Sequence, residues 1–337
     1  MTEKIVCRLS ILLLIFCVSC RQGKGSGKNM DSAVVASPVS IIRFDRILYD
    51  WLKKPEQPVP EQLTRDYKSF LELYSKYIVE VGSPDSASFA SKMQKHFADS
   101  LLFRLYTDTE NKYSALDDIE LRLGKAFDEF HFYFPLIKIP TIYMHVSGLN
   151  QSVIVGENIL SLSIDKYLGE DYPLYQNYFN VRQRRNMIRD RIVPDYLTGL
   201  LYSEFPFDPN DSGLLDNMIY QGKVIYALQA FLPDDSESLL LGFSEDELNL
   251  CLKNEKELWR YIIRNQHLYS KDYLIVSKYM TDASHSAFFT DDYPPRIGVF
   301  IGWRIVSRYM ETNKNVTLPD LMNQSDSRQI LSKSKYK

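Results

Sequence analysis

The fold of this chain is set in its middle third, by the stretch Pro140-Thr141-Ile142-Tyr143-Met144-His145-Val146. A proline opens this stretch and Ser147-Gly148 follows it, so it has the boundaries of a short β-strand. Two more short runs come next, residues 152–155 and 159–164, which alternate in polarity or are rich in β-branched side chains. We therefore predict a small central antiparallel sheet at this point.

Helical periodicity dominates the chain before the predicted sheet. Residues 60–81 place Leu63, Tyr67, Phe70, Leu71 and Tyr74 at steps of three and four, which puts them on one helical face. Residues 85–106 and 115–134 show the same period, whereas residues 41–44 predict a short extended segment.

Helical patterns return after the predicted sheet. Residues 180–205 predict a long helical segment interrupted at Pro194, which should lie in the first turn of the second part. Asp211-Ser212 is a candidate cap for a helix to residue 231, and Ser244 with Glu247 forms a capping box for a helix through residue 269. Residues 295–313 and short pieces over 318–337 complete the pattern. The sequence predicts an α+β domain that is mostly α-helical.

The first twenty residues have the layout of a bacterial lipoprotein signal. Lys4 and Arg8 form a basic head, an apolar run of roughly ten residues follows, and Ser19 precedes Cys20. A membrane-spanning helix needs about 20 apolar residues, so this run fits a cleaved signal segment. We expect residues 1–19 to be removed and Cys20 to carry the lipid that holds the protein on a membrane. Residues 20–39 then form a flexible tether, and residues 40–337 a single globular domain.

The composition is that of an ordinary globular protein. The 337 residues are 45% apolar and 25% charged, with a formal net charge of −3. A weakly acidic chain without basic clusters argues against nucleic acid as a partner. Removal of the signal and lipidation of Cys20 leave Cys251 as the one free thiol, so no internal disulfide is expected despite export.

The residue patterns of common hydrolases are missing from the sequence. The five histidines, His96, His131, His145, His267 and His285, are scattered without the spacing of a zinc site. No Gly-x-Ser-x-Gly elbow occurs, and Cys251 lies between Leu250 and Leu252 as expected of a buried, inert thiol. Carboxylates are plentiful, and a glycosidase needs only two of them across a cleft, so a hydrolase stays open as an alternative. Asp291-Asp292 is equally consistent with a ligand loop and with an acidic helix cap.

Several segments, in one order, resemble the gliding-motility lipoprotein GldB family of the Bacteroidetes. These segments are Ile42-Arg43-Phe44-Asp45, Phe132-Tyr133-Phe134-Pro135, residues 162–169 and 218–226, Asn254-Glu255 with Trp259, Pro295-Arg296-Ile297-Gly298 leading to residues 301–306 and Tyr309-Met310, and residues 331–337. The family-motif residues, structural or binding, are Asp165, Gly222, Lys223, Trp259, Pro295, Arg296, Gly298, Gly302 and Trp303. Gly298 and Gly302 lie four apart on a predicted helix, which favours close packing over a surface groove.

That family is in turn similar to predicted zinc-dependent proteases, which carry a His-Glu-x-x-His motif. The corresponding places in this chain are residues 189–201 and Gln221-Gly222, and both lack the ligands that the protease motif supplies. The resemblance therefore implies a zincin-like, degenerate metalloprotease-like domain that has no catalytic residues, metal or other cofactor.

The resemblance implies a non-enzymatic accessory protein of the cell-envelope motility and secretion machinery, with envelope proteins as partners. Arg21-Gln22-Gly23-Lys24 follows the lipidation site where surface-displayed lipoproteins of this phylum carry acidic residues, so we predict a periplasm-facing protein. Two alternatives remain: a cell-envelope peptidase or glycan-cleaving enzyme with a non-obvious site, and a glycan- or substrate-binding lipoprotein.

Overall fold

The strands of the middle segment form a mixed four-stranded sheet in the computed structural model, which describes residues 39–54, 57–150, 153–209, 212–282 and 293–337. The strands are β1 (Ile42–Arg43), β2 (Thr141–His145), β3 (Val153–Gly156) and β4 (Ile159–Ser163), in the spatial order β1-β2-β4-β3. β2 pairs in parallel with both β1 and β4, and only β3 and β4 pair antiparallel.

The prediction of an antiparallel sheet is therefore wrong, because two of the three strand pairs are parallel. The connection between β2 and β3, residues 146–152, is longer than a tight hairpin, so β4 lies between the two strands. The short turn at Glu157 and Asn158 joins β3 and β4, and it makes that pair antiparallel. All five residues of β4 are buried, as expected of a central strand covered on both faces.

The described part of the chain also contains sixteen α-helices. They are α1 (Phe44–Leu52), α2 (Glu61–Arg65), α3 (Lys68–Tyr77), α4 (Phe89–Phe97), α5 (Ser100–Lys112), α6 (Asp117–Tyr133), α7 (Val181–Arg185), α8 (Ile192–Glu204), α9 (Leu214–Phe231), α10 (Glu237–Leu241), α11 (Glu245–Lys253), α12 (Glu255–Arg264), α13 (Tyr273–Met280), α14 (Ile297–Thr312), α15 (Leu318–Asn323) and α16 (Ser327–Ser334). Short 3₁₀ helices cover Ile164–Lys166, Pro173–Asn177 and Arg189–Arg191. The described residues belong to one compact unit, Ala36–Lys337, and are mostly helical as predicted.

The two faces of the sheet are covered by different helices. On one face, Phe70 of α3 stacks on Tyr143 of β2 with ring centroids 4.5 Å apart. On the other face, α8 packs so closely that a Cβ on Gly199 would lie 2.7 Å from Val153 Cγ1 and 3.1 Å from Leu160 Cδ1. α9 packs against α8, and α14 packs along α9. The core therefore extends from the sheet into a helical layer built around α9.

Several predicted helices begin or end where expected. Ser244 accepts a hydrogen bond from Glu247 N, and Glu247 accepts one from Ser244 N, so the capping box is confirmed. Pro194 lies in the first turn of α8, as predicted. The predicted cap residue Asp211 lies outside the described residues, and α9 begins after Gly213, whose N–H donates to Asp216.

Other predicted helices are split in the structure. Residues 60–81 form α2 and α3, and residues 85–106 fall in α4 and α5, which Asp99 separates by capping Leu101 N and Leu102 N. The segment predicted to run from 244 through 269 forms α11 and α12.

The predicted signal segment, Cys20, the tether through residue 38, His285 and Asp291-Asp292 lie outside the described residues. Among the helices that are described, none combines the length and apolarity needed to cross a bilayer.

Candidate functional site

Two motif glycines bring α9 and α14 into direct backbone contact. A Cβ on Gly222 would lie 2.3 Å from the carbonyl carbon of Gly302, and a Cβ on Gly302 would lie 1.8 Å from Met218 O. Both distances are far below any real carbon contact, so neither position accepts a side chain while the helices keep this separation. The glycine pair thus sets the spacing of the two helices.

The residues beside this crossing fix it further. Trp303 Nε1 donates to Gln229 Oε1 at 2.8 Å, which satisfies the indole where it is buried between the helices. Lys223 is buried and donates to Met322 O at 3.2 Å and Gln324 O at 2.9 Å. Burial lowers the pKa of Lys223 to about 8. The ammonium thereby ties α9 to the carboxyl end of α15.

The start of α14 depends on three further motif residues. Pro295 is buried, and Arg296 has a left-handed backbone with φ of 61°, which is uncommon for a side chain of this size. A Cβ on Gly298 would lie 2.5 Å from Met280 Sδ and 3.0 Å from Tyr279 O. Gly298 therefore faces α13, and Gly302, one turn later, faces α9.

Asp165 organises the loop at the carboxyl ends of the parallel strands β2 and β4. Its carboxylate accepts hydrogen bonds from Ser147 N at 3.0 Å and Leu149 N at 2.7 Å, and from the Ser163 hydroxyl. Burial raises the pKa of Asp165, opposed by these hydrogen bonds. The side chain is completely buried, so its acceptors hold the loop after β2 rather than a ligand in solvent.

His145, at the end of β2, is also completely buried. Its Nδ1 lies 2.7 Å from Ser161 Oγ on β4, and its ring lies 6.0 and 5.9 Å from those of Phe70 and Tyr74. Nε2 has no hydrogen-bond partner. Burial lowers the pKa of His145 to about 3, so the imidazole is neutral at physiological pH.

The side chains at the positions that correspond to a zinc motif make contacts within the protein. Tyr196 of α8 donates to Tyr143 O, and Asp195 accepts from the Tyr167 hydroxyl and from Arg191. Within the described ranges, no three histidine, cysteine or carboxylate side chains converge closely enough to hold a metal ion.

Cys251 is buried in α11, as its sequence position suggested. Burial, with a smaller contribution from Glu247, raises the pKa of the thiol to about 12. The thiol is therefore protonated and unreactive in the folded protein.

Three family-matching segments, far apart in sequence, meet at one surface. Glu255, the first residue of α12, accepts a hydrogen bond from Arg304 Nε of α14 at 3.0 Å and from the Tyr336 hydroxyl at 2.8 Å. Trp259, one turn further along α12, packs edge-on against Tyr336 with ring centroids 5.2 Å apart. Glu255 therefore joins α12, α14 and the C-terminal segment.

A groove of about 740 Å³ opens at this junction, and we call it the α12–α14 groove. Its lining residues are Leu252, Lys253, Asn254, Glu255, Lys256, Glu257, Arg260, Arg304, Ser307, Arg308, Glu311, Lys335, Tyr336 and Lys337. Seven side chains of this lining are cationic and three are anionic, a surplus of four positive charges in a chain with a net charge of −3.

The carboxylates of the α12–α14 groove are already paired. Glu255 pairs with Arg304 at 3.0 Å, Glu257 with Arg260 at 2.6 Å and Glu311 with Arg308 at 3.2 Å. The positive surplus therefore belongs to the lysines. In the described part of the chain, no carboxylate lies within 4.0 Å of the groove lysines, which are Lys253, Lys256, Lys335 and Lys337.

Sequence reasoning identified Trp259 but not this groove. The groove cations are spread over three segments and form no basic run, so composition gave no signal for them. Three of the segments that resemble one family contribute to the lining, but their meeting at one groove is apparent only in the structure.

The fold and the groove define a mostly helical α+β domain with a positively charged groove at its surface. The model of the family described as gliding motility protein GldB matches residues 26–337. The chain belongs to the gliding motility protein GldB family, which confirms the resemblance found in the sequence. No curated protein and no solved structure matches the chain. The similarity to zinc-dependent proteases stays a prediction.

Proposed function

We propose that this protein is a lipid-anchored, periplasm-facing and non-enzymatic accessory component of the gliding-motility and secretion machinery. The main support for the proposal is the family match over residues 26–337. Family membership supports a cell-envelope lipoprotein with a part in gliding motility. The α12–α14 groove supports a role in holding a partner, because it offers a charged concave surface to which three family-matching segments contribute.

The anchor is proposed from the signal sequence. Cleavage before Cys20 leaves a thiol for lipidation, and acyl chains contribute about 0.8 kcal/mol per buried CH₂, so several chains hold a protein on a membrane permanently. In a gliding host that lacks its own family member, Cys20→Ala should abolish gliding although the domain still folds. Cys7→Ala is the matched control, since Cys7 lies ahead of the apolar run of the signal. Full gliding with Cys20→Ala would refute the anchor.

The periplasmic orientation is proposed from Arg21-Gln22-Gly23-Lys24, which follows the lipidation site without an acidic residue. Protease treatment of intact cells should leave the domain whole, and treatment after outer-membrane permeabilisation should degrade it. Loss of the domain from intact cells would place it on the cell surface instead.

The non-enzymatic role is supported by how the motif residues are used. Gly222 and Gly302 set a helix spacing, and Asp165 holds a loop, so these residues have internal functions. We propose a protease-like scaffold that works by binding. Metal analysis of the purified protein should find no stoichiometric zinc. Stoichiometric zinc together with peptidase or glycan-cleaving activity would favour the alternative of an envelope hydrolase.

A further inference from the structure

We infer that the α12–α14 groove is the docking site for an acidic segment of an envelope protein. The inference rests on the proposed function, because it names the chemistry of the partner that an accessory component would hold. It depends on the charge and the shape of the groove.

The positive charge of the groove favours an anionic ligand. Its three carboxylates each pair with an arginine, whereas Lys253 and Lys256 on one wall and Lys335 and Lys337 on the other have no carboxylate within 4.0 Å among the described residues. Four ammonium groups thus remain to pair with a ligand.

The shape of the groove favours a polypeptide over a membrane surface. A bilayer is flat on this scale and meets protruding side chains, whereas this site is concave and lies between two helices and the C-terminal segment. Glu255, Glu257 and Glu311 of the lining are each paired with an arginine, so the positive charge lies at separate lysines and not in a continuous layer. An extended chain can place separate carboxylates at the lysines and pass between the glutamates.

The groove also offers a small apolar surface to such a chain. Leu252 is 37% exposed at one margin, and the Tyr336 ring lies in the lining, held by its contacts with Glu255 and Trp259. Acidic residues interspersed with small or apolar ones would therefore fit better than an unbroken acidic run. A fixed aromatic ring beside charged groups is a frequent anchor in protein recognition.

The test measures binding of a fluorescein-labelled peptide of alternating Glu and Ser to the full chain, purified in a non-ionic detergent. Fluorescence anisotropy at low ionic strength should show saturable binding, which weakens as salt screens the charges. Lys253→Glu with Lys256→Glu should weaken binding by at least about tenfold, since each reversed charge contributes on the order of a surface ion pair or more. Lys335→Glu with Lys337→Glu, on the opposite wall, should have the same effect.

The control reverses the same number of charges elsewhere. Lys92 and Lys95 are exposed on α4 and take no part in the groove lining, so their double change to Glu should alter the affinity by less than about twofold. Circular dichroism should give the same melting temperature for all variants. A peptide of alternating Lys and Ser should bind the groove variants better than the natural protein.

Three outcomes would overturn the inference. They are the absence of saturable binding by the natural protein, an equal loss of affinity in the α4 control, and binding of water-soluble dihexanoyl phosphatidylglycerol at least as tight as that of the acidic peptide. The last outcome would indicate a lipid headgroup site. Each of these results leaves the proposed function standing, because that proposal is tested separately by gliding and by the requirement for Cys20.

Discussion

Gly222 of α9 and Gly302 of α14 touch through their backbones: a Cβ on Gly222 would lie 2.3 Å from the carbonyl carbon of Gly302. The two helices form the most extensive helix pair of the described structure, and buried residues of both belong to the same core. The helical layer therefore depends on two residues that lack a side chain. Small residues at a helix crossing allow the two backbones to approach this closely. Each glycine within a helix lowers helix stability by roughly 1 kcal/mol.

Gly302→Ala should destabilise the protein by at least about 3 kcal/mol, because the new methyl group would lie 1.8 Å from Met218 O and the helices would have to separate. Urea unfolding of the natural and variant proteins measures this difference. Gly213→Ala is the control, since a Cβ there lies no closer than 3.4 Å to its neighbours and should cost less than about 1 kcal/mol. Equal stability of the two variants would show that the crossing tolerates expansion.

Asp165→Asn should cost about 1–3 kcal/mol, because an amide can turn only one acceptor oxygen toward Ser147 N and Leu149 N. One of these N–H groups would then face the NH₂ group of the asparagine. Hydrogen exchange should accelerate at residues 147 and 149 before it does so in β4. Asp320→Asn, at an exposed capping box with Thr317, should have a smaller effect. Unchanged exchange in the loop would contradict the role given to Asp165.

His145 should make the protein less stable as the pH falls from 6.5 toward 5. Its pKa is about 3 in the folded protein and about 6.5 when unfolded, so in this range only the unfolded chain takes up the proton. Stability therefore falls with falling pH, by about 1.4 kcal/mol per pH unit from this residue. His145→Leu should show a shallower pH slope in denaturant unfolding. Ser161→Ala, which removes the hydrogen-bond partner but keeps the imidazole, should lower stability at each pH without changing the slope.

Lys223 should make the protein more stable as the pH rises above 8. Its pKa is about 8 in the folded protein and about 10.4 when unfolded, so between these values the unfolded chain holds one more proton. Raising the pH from 8 to 9.5 should therefore stabilise the protein by about 1.5 kcal/mol through this residue. Lys223→Met should remove that gain, as measured by denaturant unfolding at the two pH values. A variant that keeps the full gain would exclude Lys223 as its source.

The local elements were largely predictable because their causes are local. The apolar period over residues 115–134 predicted α6, and the capping box at Ser244 and Glu247 predicted the start of α11. Such signals arise from hydrogen bonds and side-chain contacts within about four residues. The break between α4 and α5 at Asp99 was missed, since the apolar period continues across it.

The order of the strands and the nature of the groove were not predictable in this way. Alternation shows which face of a strand is buried, but it does not show which strands are neighbours, so the parallel pairing of β2 with β4 was missed. The free lysines of the α12–α14 groove become apparent only after each glutamate is assigned to its arginine. One of those ion pairs, Glu255 with Arg304, joins residues that lie 49 positions apart.

The sequence by itself determined the helical character of the chain, the presence of three central strands, the family, and the predicted lipid attachment at Cys20. These depend on short segments whose chemistry is the same wherever the chain places them. Only the tertiary structure decided that Gly222 meets Gly302, that Asp165 holds a loop, and that Glu255 joins α12, α14 and the C-terminal segment. Those contacts link distant residues, and they are selected by the burial of the whole core rather than by any local preference.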